Sequence, residues 1–145
     1  MKNKLLLVIN LVCSSLCFSQ QTVTWDDLSH VSYSEKKFPG YDEYFLSPIF
    51  LNPVKALEGK QISVTGFFLN IAPEDNVYIL SKGPMSSCFF CGEGESNTII
   101  ELQFKDKPYF KTDALVTVTG TLKLNSDDVE HFIFILNDCK AQHIN

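Results

Sequence analysis

The residues best suited to chemistry in this chain are Cys88-Phe89-Phe90-Cys91-Gly92. Two cysteines three positions apart fold into a tight knuckle that points both sulfurs at one centre, and Gly92 can take the positive φ such a turn wants. This is one half of a tetrahedral thiolate site for a soft transition metal, Zn²⁺ or Cu⁺. A closed site needs two more ligands, and no second Cys-x-x-Cys follows. Downstream, Cys139 has His143 four positions on, a spacing close to the second half of a zinc finger.

In an oxidising compartment the same thiols read differently. Cys88 and Cys91 bond each other, or one of them bonds Cys139, and an odd thiol is left over. Thiol–disulfide catalysis is a third alternative with little support from the neighbouring residues. A redox Cys-x-x-Cys opens a helix whose end activates the thiolate. Here Gly92-Glu93-Gly94-Glu95-Ser96 follows, which is no helix and adds negative charge.

The compartment is set by the first residues. Lys2 and Lys4 precede an apolar run from Leu5 to Leu16, and Cys17-Phe18-Ser19 places small residues at the −3 and −1 positions of a cleavage site before Gln20. Residues 1–19 therefore read as a signal peptide, too short in its apolar part to span a bilayer comfortably. A lipoprotein is the alternative, but bulky Val12 and Leu16 stand directly before Cys13 and Cys17, where lipidation signals want a small residue. The mature chain is expected to be secreted or periplasmic, with no membrane span after cleavage, in a compartment that permits disulfides.

Of 145 residues, 45% are hydrophobic and 12% aromatic, enough for one compact domain with a core and too ordered a composition for a disordered chain. Without the leader, ten Lys face 17 carboxylates, a net charge of −7. All twelve basic residues are Lys, so the guanidinium fork that clamps phosphates is missing. Nucleic-acid binding and phosphoryl transfer are both disfavoured. No GxSxG, HExxH or Walker-type pattern occurs.

Around the cysteine loop the signal is β. Alternating residues predict strands over 61–71, 77–80, 98–104, 114–124 and 131–137. Gly66 and Gly120 interrupt the first and fourth of these at equivalent places, Ile62-Ser63-Val64-Thr65-Gly66 against Val116-Thr117-Val118-Thr119-Gly120, as bulges or bends. The fifth is apolar on both sides and expected to be central. Before the strands, Thr24-Trp25-Asp26-Asp27-Leu28 predicts a short helix with a capping box, docked through Trp25 and Leu28. Residues 33–56 are rich in aromatics and broken by Pro39, Pro48 and Pro53. They predict an irregular arm wrapped on the core, since a linker would be polar.

Leu57-Glu58-Gly59-Lys60, the Gly-kinked strand, the second Val-Thr-Gly strand and the apolar last strand together resemble the OB-fold, and within it small exported bacterial OB-fold-like domains of unknown function with a cysteine-containing loop between strands 2 and 3. The resemblance implies a mainly β, five-stranded OB-like barrel over 57–145, with residues 20–56 supplying the short N-terminal helix and the arm of the same domain. In an OB barrel strands 3 and 5 run parallel. That places the start of strand 5, and His131, near the loop before strand 3. Cys139 falls near the far end of strand 3, so topology and zinc-finger spacing name different partners for Cys88 and Cys91. The expected ligand set is Cys88 and Cys91 with His131 or Cys139, and His143 as a further candidate. Asp127, Asp128 and Glu130 are expected to form a solvated hairpin tip.

The function expected from these residues is a non-enzymatic binding module of the cell envelope that holds Zn or Cu at the Cys-x-x-Cys-Gly loop. The alternative is a disulfide-pinned structural or adaptor domain, Cys88 bonded to Cys91, that contacts an envelope protein partner. A thiol–disulfide redox protein ranks below both.

Overall fold

The computed structural model describes residues 20–87 and 95–144. Cys88, Cys91 and the expected leader lie outside the described residues. The elements are β1 (Gln21–Thr22), α1 (Trp25–Leu28), β2 (Val31–Lys37), β3 (Tyr44–Phe50), α2 (Asn52–Lys55), β4 (Gln61–Ala72), β5 (Val77–Ser81), β6 (Ile99–Leu102), β7 (Ala114–Leu124) and β8 (Phe134–His143).

Strands β4 to β8 close a mainly β, five-stranded barrel in the order β4-β5-β6-β8-β7, with β7 returning to β4. β6 and β8 are parallel, pairing Glu101 with Ile135 and Leu102 with Leu136. This is the order and the parallel pair expected of an OB-like barrel. Alternate residues fill the interior: Ile62, Val64 and Phe68 from β4, Tyr78 and Leu80 from β5, Ile100 and Leu102 from β6. Val116, Val118 and Leu122 from β7 and Phe134 and Leu136 from β8 complete it. The two-residue period of a strand puts such positions on one face.

Closure depends on β4 serving two neighbours. Its first part, Gln61 to Phe68, pairs with β7, and its second, Phe67 to Ala72, pairs with β5. At the changeover, a Cβ on Gly66 would lie 2.6 Å from the Ser81 carbonyl oxygen and 3.0 Å from the Trp25 ring. Only a residue without a side chain lets both approach. β1 runs parallel to the first part of β4. The Trp25 indole Nε1 then donates to the Thr65 carbonyl at 2.8 Å.

α1 forms as its residues dictate. The Thr24 hydroxyl accepts from the Asp27 N–H at 3.3 Å, while the Asp27 carboxylate accepts from the Thr24 N–H at 2.8 Å. The Thr24 hydroxyl, donating to the same carboxylate at 2.7 Å, and then the Thr24 N–H hold the Asp27 carboxyl below its usual range. Leu28 is fully buried and Trp25 packs against the core.

The arm differs from expectation. Residues 31–50 are not irregular but form an antiparallel hairpin, with Tyr33 opposite Pro48 and Lys37 opposite Tyr44. The prolines fit because none occupies a ladder position that must donate. In a two-stranded sheet each strand keeps one edge with no ladder to serve, and Pro48 lies in such a strand. Pro39 lies between the two strands, and Pro53 opens α2. The hairpin does wrap the barrel. Ser47 and Lys36 bond Ser126 and Asp127 of the β7–β8 loop, and the Tyr33 hydroxyl meets Ser96 at 2.6 Å on the other side.

Two strand boundaries also move. The third expected strand shortens to Ile99–Leu102, because the chain leaves the sheet once Gln103 has bonded β8 through its N–H to the Leu136 carbonyl. The fifth shifts from 131–137 to Phe134–His143, because residues 125–133 are held in a loop and β7 offers a partner along its whole length. Polar Asn137 to His143 carry no apolar alternation that would announce a strand.

Gly66→Ala is expected to lower stability to urea by about 1–3 kcal/mol, because backbone must shift to admit the methyl. An unchanged urea midpoint would show that the bend in β4 tolerates a side chain.

Candidate functional site

Three segments converge on the outside of the barrel at one end: residues 75–78 of the β4–β5 turn and β5, Glu101 with 103–107 at and after the end of β6, and 130–132 of the β7–β8 loop. They enclose a cleft of about 410 Å³. That volume lies within the range of small-molecule sites.

Glu101 organises this region. It belongs to β6, where Ile100 and Leu102 face the interior, so its carboxylate leaves the barrel on the other face. Its side chain is only 13% exposed. It accepts from His131 Nδ1 at 2.9 and 3.0 Å, from the Phe132 N–H at 3.2 Å and from Gln103 Nε2 at 3.1 Å. A carboxylate only accepts, so His131 carries a proton on Nδ1. In the neutral ring Nε2 is then the lone-pair nitrogen, the tautomer that a carboxylate imposes on metal-binding histidines.

Asn125 holds the loop from its other end. It is buried at 8% exposure and its amide is saturated. Nδ2 donates to the carbonyls of Asp128, His131 and Phe132 at 2.7, 3.1 and 3.2 Å, and Oδ1 accepts from the N–H groups of Asp127 and Asp128. One side chain thus does for five backbone groups what a turn of secondary structure would do.

The candidate residues separate. His131 lies on the cleft, its side chain 43% exposed. Cys139 lies on the opposite side of the barrel wall, 8% exposed within the interior cluster. It occupies the bulge facing Gly120, after Asp138 at φ +55°. Its N–H donates to the Gln103 carbonyl at 3.0 Å, and its Sγ donates to the Leu136 carbonyl at 3.0 Å. Burial pushes its thiol up to about 12, and it is a free cysteine. A thiol held this way is a small core residue with a poor claim to metal, since the ligand is the thiolate. His143 is exposed near the end of β8, so the Cys139-x-x-x-His143 spacing does not bring two ligands together.

The acidic tip is exposed, as its sequence suggests, and its side chains also make specific bonds. Asp127 pairs with Lys36 at 2.9 Å, a bond that holds its carboxyl below the usual range. Asp128 accepts from the Glu130 N–H at 3.0 Å, and Glu130 accepts from the Tyr41 hydroxyl at 2.7 Å. Among the described residues no three His, Cys, Asp or Glu side chains form a metal-holding group.

Sequence reasoning missed Glu101 and Asn125. Glu101 looked like the solvent face of an alternating strand, and Asn125 like any hairpin residue. A lone carboxylate between Ile100 and Leu102 carries no signal of the histidine thirty positions later.

Asn125→Ala is expected to cost about 2–3 kcal/mol, since it removes the partners of several loop backbone groups. Amide exchange in residues 126–132 should rise more than in β4. Equal protection in both regions, with stability unchanged, would remove Asn125 from its organising role.

No family model matches the chain, and no curated protein matches it. Among solved structures it is similar to the crystal structure of a DUF3299 family protein from Pseudomonas aeruginosa PAO1, with a TM-score of 0.56 and 15% identity, covering 88% of this chain and 97% of that one. At this identity the likeness concerns the fold alone, and it extends over nearly the whole of both chains.

Proposed function

We propose that the protein is an exported, non-enzymatic binding module of the cell envelope, and that the cleft between the β4–β5 turn, β6 and the β7–β8 loop is its ligand site. One observation carries this reading. In five-stranded barrels of this strand order, strands 2 and 3 and the loops joining strands 1–2 and 4–5 form the usual ligand face. The same elements converge here on one cavity whose loop is anchored from both ends by Glu101 and Asn125. Such anchoring keeps a site in its binding shape before the ligand arrives. Export rests on the leader-like residues 1–19.

Screening small fragments against ¹⁵N-labelled residues 20–145 by NMR is expected to give shifts concentrated in 75–78, 101–107 and 130–132. Shifts scattered over the surface would overturn the cleft as the binding site.

A second reading is favoured by the orientation of His131. With Nδ1 held by Glu101, Nε2 is the nitrogen free to ligate, and Cys88 and Cys91 would add two soft thiolates for Zn²⁺ or Cu⁺. The alternative keeps Cys88 and Cys91 as a disulfide in an adaptor that contacts an envelope protein. Elemental analysis and thiol titration of natively exported protein separate them. About one metal per chain, lost in His131→Ala, supports the metal site. No metal and one thiol, unreactive until denaturation as burial of Cys139 requires, supports the disulfide.

A further inference from the structure

The hairpin of residues 31–50 is a two-stranded sheet, so each of its strands has one open edge. The register tells which backbone groups face that edge. The Leu51 N–H donates to the His30 carbonyl at 3.0 Å, one step beyond Phe50 opposite Val31. Hydrogen-bonded and non-bonded pairs alternate along an antiparallel ladder. Ile49, Ser47 and Phe45 therefore spend their backbone groups on β2, while Tyr44, Leu46 and Pro48 turn theirs outward. Pro48 agrees with this count, since it has no N–H to give a neighbour. Among the described residues no backbone hydrogen bond joins Tyr44, Leu46 or Pro48 to the rest of the chain outside the hairpin.

The two edges are not alike. By the same alternation Tyr33, Glu35 and Lys37 face the outer edge of β2, and Glu35 and Lys37 are exposed charges. Charges on an open edge keep other strands off it. β3, Tyr44–Phe50, carries no charge at all in an acidic chain. Its outward residues Tyr44 and Leu46 are 68% and 71% exposed. An open edge that is apolar and uncharged is a template for another strand.

The strand that fits this template is β3 itself. Set antiparallel about Leu46, each Leu46 N–H meets the carbonyl of the partner's Leu46, and each Tyr44 N–H meets the carbonyl of the partner's Pro48. Every outward N–H is then used, and the N–H that Pro48 lacks leaves only the Tyr44 carbonyl to solvent. The side chains agree, with Leu46 against the partner's Leu46 and Tyr44 beside the partner's Pro48 on one face. Charge is complementary too. Asp42 and Glu43 precede β3, and they approach the end of the partner's strand, after which α2 carries Lys55. The charged edges of β2 are left outermost, so the assembly closes at two copies.

We propose that β3 pairs with β3 of a second copy, antiparallel about Leu46, to form a two-fold dimer with a four-stranded sheet. The cleft is a separate surface, since no hairpin residue lines it.

The test is sedimentation velocity of the natively exported protein from about 10 µM to about 1 mM, the range in which a small interface associates. A dimer that grows with concentration is expected, with and without reductant, and the Tyr44 and Leu46 amides should exchange more slowly as it forms. Leu46→Lys sets two ammonium groups together on the two-fold axis. It should weaken association about tenfold or more at an unchanged melting temperature, because the side chain is exposed. Tyr109→Lys, at a residue 96% exposed outside the hairpin, should leave association unchanged. A monomer at every concentration overturns the proposal. So does a dimer that survives Leu46→Lys, one lost in Tyr109→Lys, one that reductant dissolves, or one in which the Tyr44 and Leu46 amides exchange freely. Protection of those amides in a monomer by a synthetic peptide of residues 43–49 would make an extended peptide the occupant and overturn the second copy.

Discussion

The rest of the structure depends on a single close approach, that of the Ser81 carbonyl to the backbone of Gly66. It lets β4 turn from β7 to β5 without breaking either ladder, and so lets five strands close. Closure is what leaves the barrel without long open edges, the usual hazard of a small β protein. The Trp25 indole on Thr65 then covers the bend, which ties α1 and the arm to the same spot.

With the barrel closed, the parallel pairing of β6 and β8 puts the end of β6 beside the β7–β8 loop. Glu101 and Asn125 turn that proximity into a defined surface. Both are polar residues with almost all of their hydrogen-bonding capacity used on one loop. A carboxylate 13% exposed is costly to bury unless it is paired, and its three donors, His131, Phe132 and Gln103, meet that cost. The hairpin of residues 31–50 adds bonds from outside through Lys36, Tyr41 and Ser47. The loop beside the cleft is therefore gripped from three sides.

Cys139 and His131 show how position in a barrel wall overrides residue type. Both were metal-ligand candidates by type. The bulge opposite Gly120 turns Cys139 inward, where its sulfur satisfies a carbonyl and its charge state is suppressed. His131, three positions before β8 begins, remains at the surface with one nitrogen fixed. Of the two, His131 is exposed and Cys139 is not.

The sequence alone determined the local elements and their class. Period-two alternation announced the barrel strands, 114–124 to the residue, and Thr24 with Asp27 announced the capped helix, because these signals lie within a few residues of one another. The strand order followed from the resemblance to the OB-fold that the Gly-kinked pair and the apolar last strand carry. Tertiary structure alone decided which side chains meet. Glu101 and His131, Asn70 and Tyr78, and Lys36 and Asp127 come together only through register and loop packing. It also decided that the prolines of the arm occupy an open edge and a helix start, and hence that the arm pairs. The reason is physical: alternation states which face a residue takes, but a partner across the sheet is set by register, and register is settled only when the barrel closes.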